Sequence, residues 1–210
     1  MSNATPWQTM LSRPVAGDHI VQFYRRDDQL TETVSYFIAE GLRMGEAVVV
    51  VASSAHWAFL VGRLVTHKGF DLVDVVLRGQ LRIVDADVSL MAVMANGMPQ
   101  WFRFRDHGVN VIQRARKHFK AVRIYGEMSD TLWQKGNGEA ANRIAEYWNE
   151  LAEHCKFSLL RAYKVDDFDT DRYYLALDAA RRTCTQLLPR LDGRPHPEIT
   201  RGASQKAAAA

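Results

Sequence analysis

Val122-Arg123-Ile124-Tyr125-Gly126-Glu127-Met128 reads as a buried strand that ends on a carboxylate. A charge at the C-terminal end of a central strand sits where open α/β sheets hold their ligands. In a nucleotide hydrolase that carboxylate works beside a phosphate-binding loop. No G-x-x-x-x-G-K-[ST] run occurs anywhere in the 210 residues. The stretch therefore marks a nucleotide-enzyme scaffold without its chemistry, which points toward sensing.

Working outward, short apolar runs alternate with amphipathic stretches, the pattern of an α/β fold with a mostly parallel central sheet flanked by helices. His19–Tyr24 (HIVQFY) is the first strand, with His19, Val21 and Phe23 on one side and Ile20, Gln22 and Tyr24 on the other. Asp27 and Asp28 offer an N-cap to a helix carrying Leu30, Val34, Phe37, Ile38 and Leu42, and Gly41 and Gly45 mark its exit. Residues 46–52 (EAVVVVA) form a β-branched run suited to a strand covered on both faces. Ser53 or Ser54 caps the next helix. Leu72–Leu77 reads as an edge strand and 81–84 as another.

Asp85 or Asp87 caps a helix that stops at Asn96-Gly97. Residues 101–119 hold one or two helices broken near Gly108, 142–155 form a helix with an Ile144, Tyr147, Trp148, Leu151 and Cys155 stripe, and 157–163 form the last strand. A C-terminal helix follows, striped by Tyr173, Leu177, Ala180, Cys184 and Leu187. That heptad-like stripe packs on its own domain or forms a homodimer seam. The expected division is a flexible leader over 1–16, the main domain over 17–165, the C-terminal helix over 166–190 and a disordered tail over 191–210.

Composition narrows the class. The net charge of +3 is too small to imply nucleic acid or a membrane surface by itself. The longest apolar run, 47–52, is far below the roughly 20 residues of a membrane span. With two cysteines in helical segments and no Cys/His spacing of a metal site, a reducing cytoplasm fits, and no metal or cofactor is expected. The basic segment 101–123 carries Arg103, Arg105, Arg114, Arg116, Lys117, Lys120 and Arg123 among aromatic residues. It reads as a solvated helix face or an anion-binding patch. No helix-turn-helix, zinc finger or RNP-type motif accompanies it, so direct nucleic-acid binding is not expected.

Where a phosphate-binding loop would follow the 46–52 strand, the chain has Ser53-Ser54-Ala55-His56-Trp57-Ala58, with no glycine or lysine. This argues against ATP hydrolysis by the usual route. Glu127 remains as a ligand-contacting carboxylate, a relic of a base, or a structural acid.

Five blocks then resemble a known family: HIVQFY at 19–24, FIAEGLRMGEAVVVVAS at 37–53, GQLRIVDA at 79–86, VRIYGEMSDTLWQKG at 122–136 and NELAEHCKFSLLRAY at 149–163. In order and spacing they resemble the MEDS domain, the DcmR-like sensory domain of methanogens and methylotrophs. The resemblance implies a RecA/KaiC-like core that has lost its P-loop, and a sensory role toward a small molecule such as a hydrocarbon derivative. It also implies a neighbouring DNA-binding domain or histidine kinase, and the 210 residues hold neither. The family's final strand often reads LCAY, where this chain has Leu160-Arg161-Ala162-Tyr163.

The expected function is a non-catalytic sensory or signal-transduction module. Its partner is a small-molecule ligand or a signalling protein, either a histidine kinase or a transcription regulator. His19, Tyr24, Arg123, Glu127 and Arg161 are the expected ligand-binding residues, in a cleft at the strand ends. Two alternatives stand beside it: an ATPase-like protein with unconventional phosphate contacts, and an interaction regulator docking through its C-terminal helix.

Overall fold

The computed structural model describes residues 4–66, 68–166, 169–193 and 195–196. In chain order the elements are α1 (Pro6–Ser12), β1 (His19–Tyr24), α2 (Asp27–Arg43), β2 (Ala47–Ala52), α3 (Ser54–Thr66), α4 (Leu72–Leu77), β3 (Leu81–Asp85), α5 (Ala86–Val93), β4 (Met94–Ala95), β5 (Met98–Pro99), α6 (Trp101–Arg116), β6 (Val122–Gly126), α7 (Met128–Gln134), α8 (Gly138–His154), β7 (Ser158–Lys164), α9 (Thr170–Thr183) and β8 (Gln186–Leu187). Six strands make one sheet in the order β3-β2-β6-β7-β1-β8. Every pairing in it is parallel. Parallel neighbours need long crossovers, and here the crossovers carry the helices.

From β1 through β2 to β3 the chain steps one way across the sheet. From β6 through β7 to β8 it steps the other way. Right-handed crossovers put the two runs of helices on opposite faces. Leu11 of α1, Phe37 of α2, Leu64 of α3 and Val75 of α4 share one core with Ile20, Val48 and Tyr125. Leu90 of α5, Phe104 of α6, Leu132 of α7, Trp148 of α8 and Leu177 of α9 share the other with Val21, Val49 and Ile124. Covering on both faces explains why β2 is an unbroken apolar run, buried at every position. The alternation expected for β1 is the one observed.

Several expectations are corrected. Leu72–Leu77 is a helix, because the Asp71 carboxylate accepts the Asp74 N–H at 3.1 Å and starts a turn that β propensity did not foretell. Residues 101–116 are one unbroken helix. Gly108 inside it is a close approach, since a Cβ there would meet Leu151 Cδ2 at 2.6 Å. Gly41 likewise lies within α2, where a Cβ would meet Arg123 Nε and Val48 Cγ2, each at 2.9 Å. The exit glycine is Gly45, at φ +72°.

The leader contains α1, whose Leu11 is fully buried against the α2 side of the sheet. The C-terminal stripe packs on its own domain: Tyr173, Leu177 and Ala180 enter the core, while Cys184 and Leu187 lie beyond α9, where β8 pairs with β1. Within the expected tail, His196 contacts Tyr173 Oη at 3.0 Å and the Leu188 carbonyl at 2.8 Å. Residues 194 and 197–210 of that tail, and residues 1–3 of the leader, lie outside the described residues.

Candidate functional site

β2 and β6 are neighbours in the sheet, and the chain leaves them for opposite faces, into α3 and α7; ligands of open α/β sheets gather at the carboxyl ends of strands beside such a divergence. Glu127 follows β6 there, and its N–H bonds the Val51 carbonyl of β2 at 2.9 Å. Its buried carboxylate is held from both sides. Oε2 accepts the Ser53 N–H at 2.6 Å, and Oε1 meets His56 Nδ1. Ser53 Oγ in turn accepts the His56 N–H at 3.4 Å, which closes the first turn of α3 around the carboxylate. Helix N-termini seat anions through free N–H groups and the macrodipole. Here the anion is a side chain of the protein, placed where a phosphate-binding loop would follow β2.

A second carboxylate, Asp130, sits one helical turn further along α7 and is 1% exposed. It accepts Tyr24 Oη at 2.6 Å, the Lys164 N–H at 2.9 Å and Gln134 Nε2 at 2.9 Å. Burial raises its proton affinity above the ordinary carboxylate range, against the pull of these three donors. Burial, reinforced by Asp130, pushes the Tyr24 phenol far above its ordinary range. Asp27 joins the two groups. Its Oδ1 accepts Lys164 Nζ at 2.8 Å and lies 3.9 Å from His56 Nε2. Asp27 is free to do so because α2 is capped otherwise: the N-cap is Arg26, and Gln29 Oε1 accepts the Arg25 and Arg26 N–H groups at 3.1 and 3.3 Å. Burial holds the His56 imidazole below its ordinary range, while Asp27 and Asp130 pull it up and Lys164 pulls it down.

Of the five expected residues, only Tyr24 and Glu127 reach this edge. His19 opens β1 and Arg123 is second in β6, so both sit near the opposite, N-terminal edge. Arg161 is mid-strand, opposite Val21 and Gly126. It lies three residues before Lys164, or about 10 Å at the rise of a strand.

All three are buried fasteners. Arg123 donates to Glu46 Oε2 at 2.6 Å, to the Leu11 and Phe37 carbonyls at 3.0 Å each and to the Ser12 carbonyl at 3.3 Å. It thus ties α1 and α2 to the sheet and leaves the basic segment's surface. Arg161 donates to Tyr163 Oη at 3.2 Å and to Thr183 at its carbonyl (3.2 Å) and Oγ1 (3.0 Å), closing the end of α9. His19 Nδ1 meets Asn149 Oδ1, and burial together with nearby Arg161 lowers the imidazole to about 4.

His56, Asp27, Asp130, Gln134 and Lys164 were not singled out from the sequence as site residues. The available signal was position: each falls at or just past the C-terminal end of a strand, or within the helix that follows.

An open cleft of about 540 Å³ adjoins the cluster, lined by the cations Arg25, Lys164 and Arg172, the carboxylates Asp166 and Asp169, and by Gln134, Val165 and Tyr173. This is the size range of small-molecule sites. It opens where the chain leaves β1 for α2 on one face and β7 for α9 on the other. Lys164 and Gln134 belong to both the cleft and the buried cluster. Arg172 lies over the Trp133 ring at 5.3 Å and donates to the Trp133 carbonyl. Beneath α6 a second, apolar cavity touches Trp148 and His107, but at about 20 Å³ it has room for little more than one water. Among the described residues there is no group of three or more metal-ligating side chains, and no helix is long and apolar enough to cross a membrane.

The family model described as MEDS, methanogen/methylotroph, DcmR sensory domain, matches residues 18–183. Comparison with curated proteins found no match. Among solved structures, the crystal structure of a KaiC-like protein from the hyperthermophilic archaeon Pyrococcus horikoshii OT3 is similar, with a TM-score of 0.49 and 14% sequence identity. The match covers 71% of this chain and 62% of that one, so the chain spans less than two thirds of that structure.

Proposed function

The chain belongs to the MEDS family of sensory domains, and we propose that it acts as a non-catalytic sensory module that holds a small molecule in the strand-end cleft and signals to a partner protein. The observation that carries this reading is the sharing of Lys164 and Gln134 between a cleft of ligand size and the buried polar cluster at the strand ends. A molecule in the cleft touches groups whose other bonds run to Asp27 of α2 and Asp130 of α7, and Asp27 in turn lies 3.9 Å from His56 of α3, so occupancy and internal structure are coupled.

The non-catalytic part rests on Glu127. Both of its oxygens are engaged by Ser53 and His56, and the Ser53–Ala58 turn offers no glycine-rich cradle or lysine for a nucleotide phosphate.

A thermal-shift screen of metabolites and nucleotides, followed by calorimetry, tests the reading. The control is Val165→Trp, which fills the cleft, with its fold checked by circular dichroism. At least one compound is expected to stabilise the wild type and not the folded variant. If every stabilising compound acts equally on both, the cleft is not the site. Magnesium-dependent ATP turnover abolished by Glu127→Gln would overturn the non-catalytic part.

A further inference from the structure

We propose that the molecule taken by the cleft carries a small oxyanion, a carboxylate or a phosphate group, which draws Lys164 away from Asp27 and thereby reaches the head of α3 through His56 and Glu127. This inference rests on the reading of the cleft as the ligand site and adds the ligand's chemistry and the route of the signal.

Two cations of the cleft wall are in a state to take an oxyanion. Arg172 stacks on Trp133 and bonds only a carbonyl, with no carboxylate partner among the described residues. Asp169 and Asp166 also line the cleft; Asp169 Oδ1 accepts the Arg172 N–H at 3.0 Å as the cap of α9, and the Arg172 guanidinium makes its contacts with Trp133 instead. Lys164 has a partner, but a replaceable one. Its side chain is 39% exposed and that of Asp27 is 44% exposed, and exposed ion pairs are weak and easily exchanged. Arg25 is less available because it is already paired with Asp192 at 2.7 Å.

The route onward is a chain of contacts already made. Asp27 lies 3.9 Å from His56 Nε2, His56 Nδ1 meets Glu127, and Glu127 accepts the Ser53 N–H at 2.6 Å. While Lys164 offsets part of the Asp27 charge, Glu127 is the carboxylate that holds His56 in direct contact. Once Lys164 turns to the ligand, the imidazole lies between two. Glu127 and Asp27, with Asp130 and Lys164 further off, are the charged groups that act on it. The ring then shifts toward Asp27 and loosens its hold on Glu127, at the residue that opens α3.

The test uses the full chain, with sodium phosphate, succinate and acetate against sodium chloride at matched ionic strength. It reads affinity by calorimetry and the His56 ring protons by NMR. Saturable binding of phosphate or of a carboxylate is expected, and which of the two binds names the group. Lys164→Met abolishes binding and Arg172→Met weakens it at least about tenfold, the scale of a lost charge-assisted bond. Asp27→Asn tightens binding by about two- to fivefold, the equilibrium worth of the exposed pair it removes. The His56 signal moves on titration of the wild type but not of Lys164→Met.

Weaker binding to Asp27→Asn, or a His56 signal indifferent to the anion, overturns the inference. If a neutral compound is excluded by Val165→Trp yet ignores Lys164→Met, the cleft reading stands and the oxyanion falls. If compounds of every charge ignore Val165→Trp, both fall.

Discussion

Replacing Glu127 with alanine probes the central claim about the strand-end cluster, that a buried carboxylate serves as the internal anion of α3. The substitution removes two charge-assisted contacts, to the Ser53 N–H and to His56 Nδ1. Each is worth about 1.5–3 kcal/mol. Relief from burying a charge offsets part of this, and breaking a buried pair by removing one partner costs about 3–5 kcal/mol in practice. Ser53 is only half-buried, so water recovers some of its bond, and the lower end, about 3 kcal/mol, is expected. For a chain of this size that corresponds to a fall in Tm of roughly 6–12 °C.

Glutamine serves as the discriminating control. Its carbonyl can keep the Ser53 bond while its amide donates to His56 Nδ1 in the other imidazole tautomer, so Glu127→Gln loses only about 1 kcal/mol, the added strength of the charge. Urea unfolding followed by tryptophan fluorescence measures both variants. In a His56→Ala background the cost of Glu127→Ala is expected to shrink by about 1.5–3 kcal/mol, the coupling of a contacting charged pair. Formate, which fits the vacated place, stabilises Glu127→Ala more than the wild type through binding linkage. A loss below about 1 kcal/mol for Glu127→Ala, or a loss unchanged by the His56 background, refutes the reasoning.

Three further outcomes are expected. Stability falls as pH drops from about 6.5, the ordinary histidine value, toward 4. His19 has its folded value lowered to about 4 by burial and Arg161, so the unfolded chain takes the proton first and about 3 kcal/mol is lost across that window. His56 adds to the fall and Asp130, raised by burial, opposes it. His19→Gln should flatten the profile, and parallel profiles for variant and wild type would count against the assignment. Arg123→Met leaves Glu46 and three carbonyls without their donor, so a loss of about 3–5 kcal/mol and early proteolytic release of α1 are expected. A stable variant with α1 still protected would argue that Arg123 is not the fastener. Gly41→Ala gains up to about 1 kcal/mol of helix propensity but places a Cβ 2.9 Å from Arg123 Nε and Val48 Cγ2, so net destabilisation of about 1–2 kcal/mol is expected in thermal unfolding, and net stabilisation would refute the close approach.

These positions also show why the sheet was legible in the sequence and much of the site was not. A strand buried on both faces announces itself as an apolar run, unbroken in β2 and interrupted only by Arg123 in β6, so both were readable, and Glu127 could be placed because it directly follows β6. Leu72–Leu77 misled because Val73, Val75 and Val76 look like a strand while the side chain that decides, Asp71, lies one residue outside the run. The side-chain partners of Glu127, Ser53 and His56, are 74 and 71 residues away in the chain, and Asp27 reaches it only through His56, so no local pattern links them. Arg161 shows how little displacement separates two roles. Both it and Lys164 are cations on the same strand, and the run 157–163 does not reveal which one reaches the strand-end edge. Register decides: β7 ends at Lys164, so Lys164 opens on the cleft, while Arg161, about 10 Å further in, must spend its guanidinium on Tyr163 and the end of α9. A strand's charge therefore becomes a candidate ligand group only once its distance from the strand's end is known. The fixed place of Glu127, immediately after β6, is what made it readable in advance.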